Sequence, residues 1–290
     1  MKKLYCIIED KINQNDPIIN GRKPRELIIQ ESKDISTQEV QRLETAINRL
    51  SRIVEDAYRI FAVFEASKEY NETLKSLKSD NTQALLELDR RFRSYALEFD
   101  MFLDYWQAII THHKRIDGSS NEEHTSGYKQ LFENLTNNAY NNHIEYKLLD
   151  MIRNVTAHVQ SPVNHIHIGL EGNEAYANRD VLLEKCKNGE NKKNILRAQP
   201  EKIKLTPIVN VTIKCLEEIH DGLIDYELDD LAIEECKVLN LFIQNANSKG
   251  MLYKPWVIMD KEALGKGVYH IHDIPMYLYL LGRIQKNKTM

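Results

Sequence analysis

Apolar residues recur at alternating steps of three and four along the middle of the chain, the spacing of amphipathic helices. The first series follows Ser36-Thr-Gln-Glu39, a capping box, and comprises Leu43, Ile47, Leu50, Val54, Ala57, Phe61 and Phe64. The second comprises Leu85, Leu88, Phe92, Tyr95, Phe99, Phe102, Trp106 and Ile109, with Asp80 or Thr82 as its N-cap. The pattern predicts two long helices that fold back as an antiparallel pair, joined by an exposed polar connection near residues 71–81.

Two shorter periodic stretches follow. One carries Tyr128, Leu131, Phe132 and Leu135, and the other carries Ile144, Leu148, Met151, Ile152, Val155 and Val159. Pro162 disfavours helical geometry at the residue before it, so this last helix is expected to end near Gln160. Four successive helices predict an up-and-down bundle over residues 36–162.

The regions on either side of the predicted bundle differ from it in their pattern of apolar residues. Residues 1–35 contain candidate strands at 4–8 and 26–30, which fit a small hairpin or a dimer arm. Residues 163–290 begin with an alternating, strand-like stretch and continue as a mostly helical extension. Within it we predict a short helix at 179–187, an exposed loop at 188–193, and helices that begin at Thr206 and Asp225, the first loosened at its end by Gly222. The predicted fold class is mainly α, with small peripheral β elements.

Composition narrows the function classes. The chain has 290 residues, 42% of them hydrophobic and 28% charged, with a net charge of −4. Because basic residues are not in excess, any contact with nucleic acid must be local. No apolar stretch approaches the length of a membrane span, and the cysteines form no Cys-x-x-Cys pair, so we expect a cytoplasmic protein with reduced thiols.

Three polar residues, Arg153, Asn154 and His158, interrupt the apolar repeat of the fourth helix. Arginine carries a forked set of donors suited to a phosphate, and histidine exchanges a proton near neutral pH. Together they are a minimal set for phosphodiester cleavage. Arg153 and His158 point partly apart on one helix, so a site built from them gains most from a second copy, which favours a two-fold dimer. The alternative is a structural arginine and histidine at a helix end.

The string Arg153-Asn154-Val155-Thr156-Ala157-His158 resembles the signature of the HEPN superfamily, which is arginine, then asparagine, histidine or aspartate, three variable residues, and histidine. The leucines Leu148 and Leu149 before it and Pro162 after it also fit, and the resemblance covers about residues 80–165.

This resemblance implies a helical bundle whose homodimer forms an endoribonuclease site that needs no metal or other cofactor. His158 would act as general base or acid, Arg153 would stabilise the scissile phosphate, and Asn154 would orient them. The products would be a 2′,3′-cyclic phosphate and a 5′-hydroxyl end. The resemblance also implies a toxin–antitoxin or antiphage setting, with an antitoxin or activating protein as partner. Two alternatives stay open: a non-catalytic HEPN module that binds a protein or nucleotide, and an adaptor that binds through its long helical pair.

The densest basic run in the chain is a candidate RNA-backbone patch. It comprises Lys192, Lys193, Arg197, Lys202 and Lys204. A solvated surface is the alternative interpretation.

Two His-x-His pairs, His165 with His167 and His270 with His272, raise a zinc hypothesis. The four imidazoles would converge only if the two strands were neighbours. In the alternative, which we favour, the isoleucines face the core and the histidines face water, and we assign no metal ligand.

Overall fold

A computed structural model describes residues 2–12, 25–112, 118, 122–156, 161–185, 189–247, 256–260, 271–272, 280 and 282–284. The helices are α1 (Thr37–Ser76), α2 (Thr82–Thr111), α3 (Glu122–Asn142), α4 (Ile144–Thr156), α5 (Arg179–Lys185), α6 (Glu190–Arg197), α7 (Leu205–Glu227) and α8 (Asp230–Asn247). The strands are β1 (Lys2–Ile12), β2 (Arg25–Ile35), β3 (His165–His167), β4 (Glu174–Asn178), β5 (Lys202–Lys204), β6 (Trp256–Asp260) and β7 (Ile271–His272). The protein is mainly helical, as predicted. In the parts of the chain described, no helix is long and apolar enough to cross a membrane.

Contacts divide the chain into two compact units, Met1–Asp56 with Glu227–Met290, and Ala57–Tyr226. The division of the chain into domains at residues 1–35, 36–162 and 163–290 stays a prediction.

The first unit contains an antiparallel sheet in the order β2-β1-β6-β7. Strands β1 and β2 form a hairpin at the positions where the sequence predicted strands, but each is longer than predicted. Its register shifts twice, between Leu4 and Tyr5 and between Ile7 and Glu9.

Buried carboxylates connect the helices of the first unit. Glu235 of α8 is buried and lies 2.7 Å from Arg42 and 2.6 Å from Arg49 of α1. Arg52 lies 3.8 Å from both Asp56 and Glu227. Because an unpaired buried carboxylate is costly, these arginines stabilise the packing of α1 with α8 in this unit.

In the second unit α1 and α2 run antiparallel. Tyr70 packs edge-on against Phe92, with ring centroids 5.7 Å apart, and Arg59 lies 4.2 Å from the ring centroid of Tyr105. The predicted apolar series of α2 is buried from Leu88 to Trp106.

The apolar series of α1 is only partly correct. Its first half, from Leu43 to Ala57, is largely buried. Beyond Ala57 the buried positions are Ile60, Val63, Ala66, Tyr70 and Leu74, whereas Phe61 is 50% exposed. The buried face therefore rotates around α1 beyond Ala57. On a straight helix, residues that repeat every seven positions drift around the helix axis, so one apolar stripe stays in contact with a partner over a long distance only if the two helices supercoil.

Helix ends follow local hydrogen bonding. The capping box is confirmed, because the Ser36 amide donates to Glu39 Oε2 (2.9 Å) and the Glu39 amide donates to Ser36 Oγ (3.1 Å). The prediction for α2 was wrong by one residue: its N-cap is Asn81, whose side chain accepts from the Ala84 amide at 2.9 Å.

Three further expectations were wrong. Residues 188–193 are not all loop, because α6 begins at Glu190. Gly222 does not end α7, which continues to Glu227; a Cβ at Gly222 would lie 2.8 Å from Leu135 Cδ1, so the glycine permits close packing instead. The last of these helices, α8, begins at Asp230 rather than Asp225, after Asp229 caps it by accepting from the Ala232 amide.

The second unit also contains a small antiparallel sheet in the order β3-β4-β5. Of the three strands in this sheet, the sequence predicts only β3. Strands β4 and β5 are short and rich in polar residues, so their alternation is weak evidence in the sequence alone.

Candidate functional site

Arg153 and Asn154 lie near the end of α4, a helix that packs through its apolar face. Leu148, Leu149, Met151 and Ile152 are buried, and Tyr146 packs edge-on against Phe99 of α2 with ring centroids 5.2 Å apart. Ile144, which was predicted to belong to the buried stripe, is 38% exposed at the first position of the helix. Arg153 and Asn154 are in the last described turn, and His158 lies outside the described residues.

Arg153 is held between two carboxylates. Its Nη1 lies against Asp100 of α2, and its Nε and Nη2 donate to Asp150 Oδ1 at 3.3 and 3.2 Å. The side chain is 24% exposed. Asp150 stands three residues before Arg153, a spacing that brings two side chains together on a helix. The guanidinium therefore has one fixed position against α2.

Asp150 also binds a cation from another element. Lys192 of α6 lies 2.6 Å from Asp150 Oδ2, while Arg153 uses Oδ1. We call these four residues, Asp100, Asp150, Arg153 and Lys192, the Asp150 cluster. It contains two carboxylates and two cations, so it is electrically balanced, and it connects α2, α4 and α6.

The electrostatics leave Arg153 charged. Burial lowers the pKa of its guanidinium below the ordinary value, but arginine stays protonated at neutral pH even so. A guanidinium has five N–H donors. Among the described residues Asp100 and Asp150 engage its Nε and one N–H on each terminal nitrogen, so two donors remain for a further acceptor.

Asn154 has a local role in the described structure. Its Nδ2 donates to the Asp150 carbonyl at 2.7 Å, one helical turn earlier. This bond uses one of the two N–H groups of the side-chain amide. The side-chain oxygen of Asn154, which is on an exposed residue, is the part available to orient a ligand.

The chain that follows the motif is held to α2 as well. The Val163 amide donates to the buried Asp89 at 3.2 Å, and Arg93 Nε donates to the other oxygen of the same carboxylate at 2.7 Å. Asp89 and Asp100 thus fix the chain on both sides of residue 158.

The predicted basic patch is divided between two elements. Lys192, Lys193 and Arg197 are on α6, and Lys202 and Lys204 are on β5. Three of these cations have acidic partners: Lys192 has Asp150, Arg197 has Glu190, and Lys204 lies 2.5 Å from Glu174. Lys202 is exposed and has no ion pair within the described ranges.

The zinc hypothesis requires the two His-x-His strands to be neighbours in one sheet, but β3 and β7 belong to different sheets, and His270 lies outside the described residues. Strand β3 pairs with β4, whereas β7 pairs with β6 in a different sheet. In β3 Ile166 is buried and both histidines are exposed, which matches the alternative interpretation. No group of three or more metal-binding side chains occurs among the residues that the structure describes.

The carboxylates around Arg153 were missed in the sequence. Asp150 had a detectable signal, since it is three residues before Arg153 and one turn before Asn154. Asp100 had none, because its contact depends on how α2 packs against α4.

No protein-family model, curated protein or solved structure matches this chain.

Proposed function

We propose that the protein is a metal-independent endoribonuclease of the HEPN type, whose helices α1 to α4 form the HEPN-like bundle. The observation that carries the proposal is Arg153. It lies in the last described turn of the amphipathic helix α4, at the position that the signature requires, and among the described residues it keeps two N–H donors beyond those used by Asp100 and Asp150. A cation fixed in advance loses little entropy when it binds a phosphate.

In this mechanism His158 removes the proton from a ribose 2′-hydroxyl, and the oxygen attacks the adjacent phosphorus. Arg153 stabilises the negative charge that develops on the phosphate oxygens. The bond to the 5′ oxygen breaks, and that oxygen takes up a proton from the second His158 or from water. The products are a 2′,3′-cyclic phosphate and a 5′-hydroxyl end, and DNA is not cleaved because it lacks the nucleophile.

A homodimer supplies two copies of the motif, which a strand of RNA can contact together. Asn154 orients the phosphate or His158 in this scheme. Lys192, Lys193, Arg197, Lys202 and Lys204 contribute positive potential, and Lys202 is an exposed member that has no ion pair within the described residues. We place this activity in a cytoplasmic toxin–antitoxin or antiphage system, in which a partner protein controls the nuclease.

A second candidate function is a non-catalytic HEPN module that binds a protein or nucleotide. The ion pairs of Arg153 favour it, because two carboxylates already neutralise the guanidinium. In that case the arginine stabilises the packing of α4 against α2 and performs no chemistry.

The test is cleavage of a synthetic single-stranded RNA by purified protein in the presence of a chelator. We expect cleavage by the wild type, and loss of cleavage in His158→Ala and Arg153→Ala. Two matched controls, His143→Ala in the α3–α4 connection and Arg90→Ala in an exposed ion pair of α2, should cleave normally. Normal cleavage by His158→Ala would refute the mechanism, and an Arg153→Ala protein that loses only stability would favour the non-catalytic module.

A further inference from the structure

The small sheet has one apolar and one polar face. Ile166, Ala175, Ala177 and Ile203 alternate with the polar positions and are buried. The opposite face carries His165, His167, Glu174, Tyr176, Asn178, Lys202 and Lys204, all exposed or partly exposed. We call this the polar sheet face.

Two of its side chains form an aromatic pair. His165 on β3 and Tyr176 on β4 are direct cross-strand partners, and their ring centroids lie 5.8 Å apart with an interplanar angle of 39°. His165 is exposed and Tyr176 is partly exposed. A base from a single strand stacks on such rings whatever its identity, because every base has a π-face.

Cations lie next to the pair on the adjacent strand. Tyr176 is the cross-strand partner of Lys204, and Lys202 lies two residues before it on β5, on the same face. Glu174 is the one carboxylate of the polar sheet face, and it accepts from both Lys204 and the Tyr176 hydroxyl. These two hydrogen bonds lower the pKa of Glu174, so it stays charged, but the two lysines outnumber it.

An open cleft continues from this face at the edge of the sheet. Its volume is about 640 Å³, and its lining includes His167, Glu174, Lys204 and Thr206 at the start of α7. The turn from Gly169 to Gly172 forms one wall of the cleft. The His167 ring lies close to Gly169, because a Cβ added at Gly169 would be 3.1 Å from His167 Nε2. The ring of His167 is therefore positioned over the turn.

We propose that the polar sheet face binds single-stranded RNA, with bases stacked on Tyr176 and His165 and the phosphate backbone near Lys202 and Lys204. Stacking rings beside cations are the combination that binds single strands, since it needs no sequence-specific hydrogen bonds. A duplex keeps its bases stacked inside and cannot use the rings. The further statement that this face binds the substrate of a nuclease rests on the proposed function. The position of β3 supports it, because this strand follows the motif segment directly along the chain.

The test measures binding of the full chain to a fluorescent single-stranded oligoribonucleotide with 2′-O-methyl riboses, by anisotropy. The methyl group blocks the attacking oxygen, so binding is separated from cleavage. Tyr176→Ala should weaken binding about tenfold, and Tyr176→Phe should stay within about twofold of the wild type because it keeps the ring. Tyr58→Ala, which removes an exposed aromatic ring of α1, should bind as the wild type does.

Further variants separate the stacking and charge contributions. His165→Ala should weaken binding several-fold, and it tests the pair without altering the hydrogen bond of Tyr176. Lys202→Ala should reduce the slope of log Kd against log salt by about 0.7, the value for one lost phosphate contact with a single strand.

Three results would overturn the proposal: no binding by the wild type, binding by Tyr176→Ala equal to that of the wild type, or an equal loss in Tyr58→Ala. Failure of the nuclease proposal would look different, because unmodified RNA would then stay intact while the 2′-O-methyl strand still bound. Loss of binding in Tyr176→Ala with unchanged cleavage of unmodified RNA would instead overturn the role of the face in substrate binding.

Discussion

Replacing Asp150 by asparagine keeps the shape of the side chain and removes the charge that two cations share. Asp150 is 17% exposed, and its two oxygens lie 2.6 Å from Lys192 Nζ and 3.2 Å from Arg153 Nη2. With a dielectric constant of about 80, Coulomb's law gives a gross attraction of about 1–2 kcal/mol for each pair at these separations. Partial burial increases this attraction, whereas desolvation and the ordering of two long side chains oppose it.

A net contribution of about 1 kcal/mol per pair is the reasonable expectation. Asp150→Asn should therefore lower the free energy of unfolding by about 2 kcal/mol, and Lys192→Met by about 1 kcal/mol. The double variant should lose about 2 kcal/mol rather than 3, because the asparagine has already removed the partner of Lys192.

Urea unfolding of the four proteins, followed by far-ultraviolet circular dichroism, measures this coupling. Repeating the cycle in concentrated salt should reduce it, because the screening length then approaches the separation of the charges. Additive losses at low salt would contradict the ion pair, since they would mean that Lys192 and Asp150 do not interact in solution.

Two other predictions concern packing and thiol chemistry. Gly127→Ala should destabilise the protein by about 1–2 kcal/mol, although alanine normally favours a helix, because its Cβ would lie 2.5 Å from the Tyr226 hydroxyl. The same change in a Tyr226→Phe protein should be stabilising, because that hydroxyl is then absent. Thermal unfolding of Gly127→Ala in both backgrounds checks this reversal of sign. Burial raises the pKa of Cys215 to about 11 and of Cys236 to about 12, so iodoacetamide near neutral pH should alkylate them in urea but hardly at all in the folded protein, as read by peptide mass spectrometry. Their contribution to stability is fully present below about pH 8.5, where the thiols of the unfolded chain are protonated, and it should be lost as pH rises through the folded values. Rapid alkylation of the folded protein, or a destabilising Gly127→Ala in both backgrounds, would contradict these assignments.

The sequence predicts where the long helices lie, but it does not predict which face of each helix is buried. The spacing from Leu43 to Phe64 correctly indicated a long helix, and local hydrogen bonding fixed its start at the Ser36–Glu39 box. The sequence does not show which face meets a partner at each point along forty residues. Tyr70 and Leu74 are buried while Phe61 is exposed, because tertiary contacts rotate the buried face after Ala57.

The candidate site shows the same division between local and distant contacts. Arg153 and Asn154 were identified from their order in the chain, and their i, i+3 and i, i+4 contacts with Asp150 were available from helix geometry. Asp100 and Lys192 come from other helices, so only the folded structure brings them to Asp150 and Arg153. The pairing of Tyr176 with His165 likewise depends on a strand register that short polar strands do not reveal in advance.

In the function proposed for this protein, His158 and Arg153 cleave RNA by attack of the 2′-hydroxyl. Its most direct test is mass spectrometry of the ends produced from single-stranded RNA in a chelator, for the wild type and for His158→Ala. We expect 2′,3′-cyclic phosphate ends from the wild type and intact RNA with the variant. Ends with 3′-hydroxyl and 5′-phosphate groups, or the same cyclic ends from His158→Ala, would contradict it.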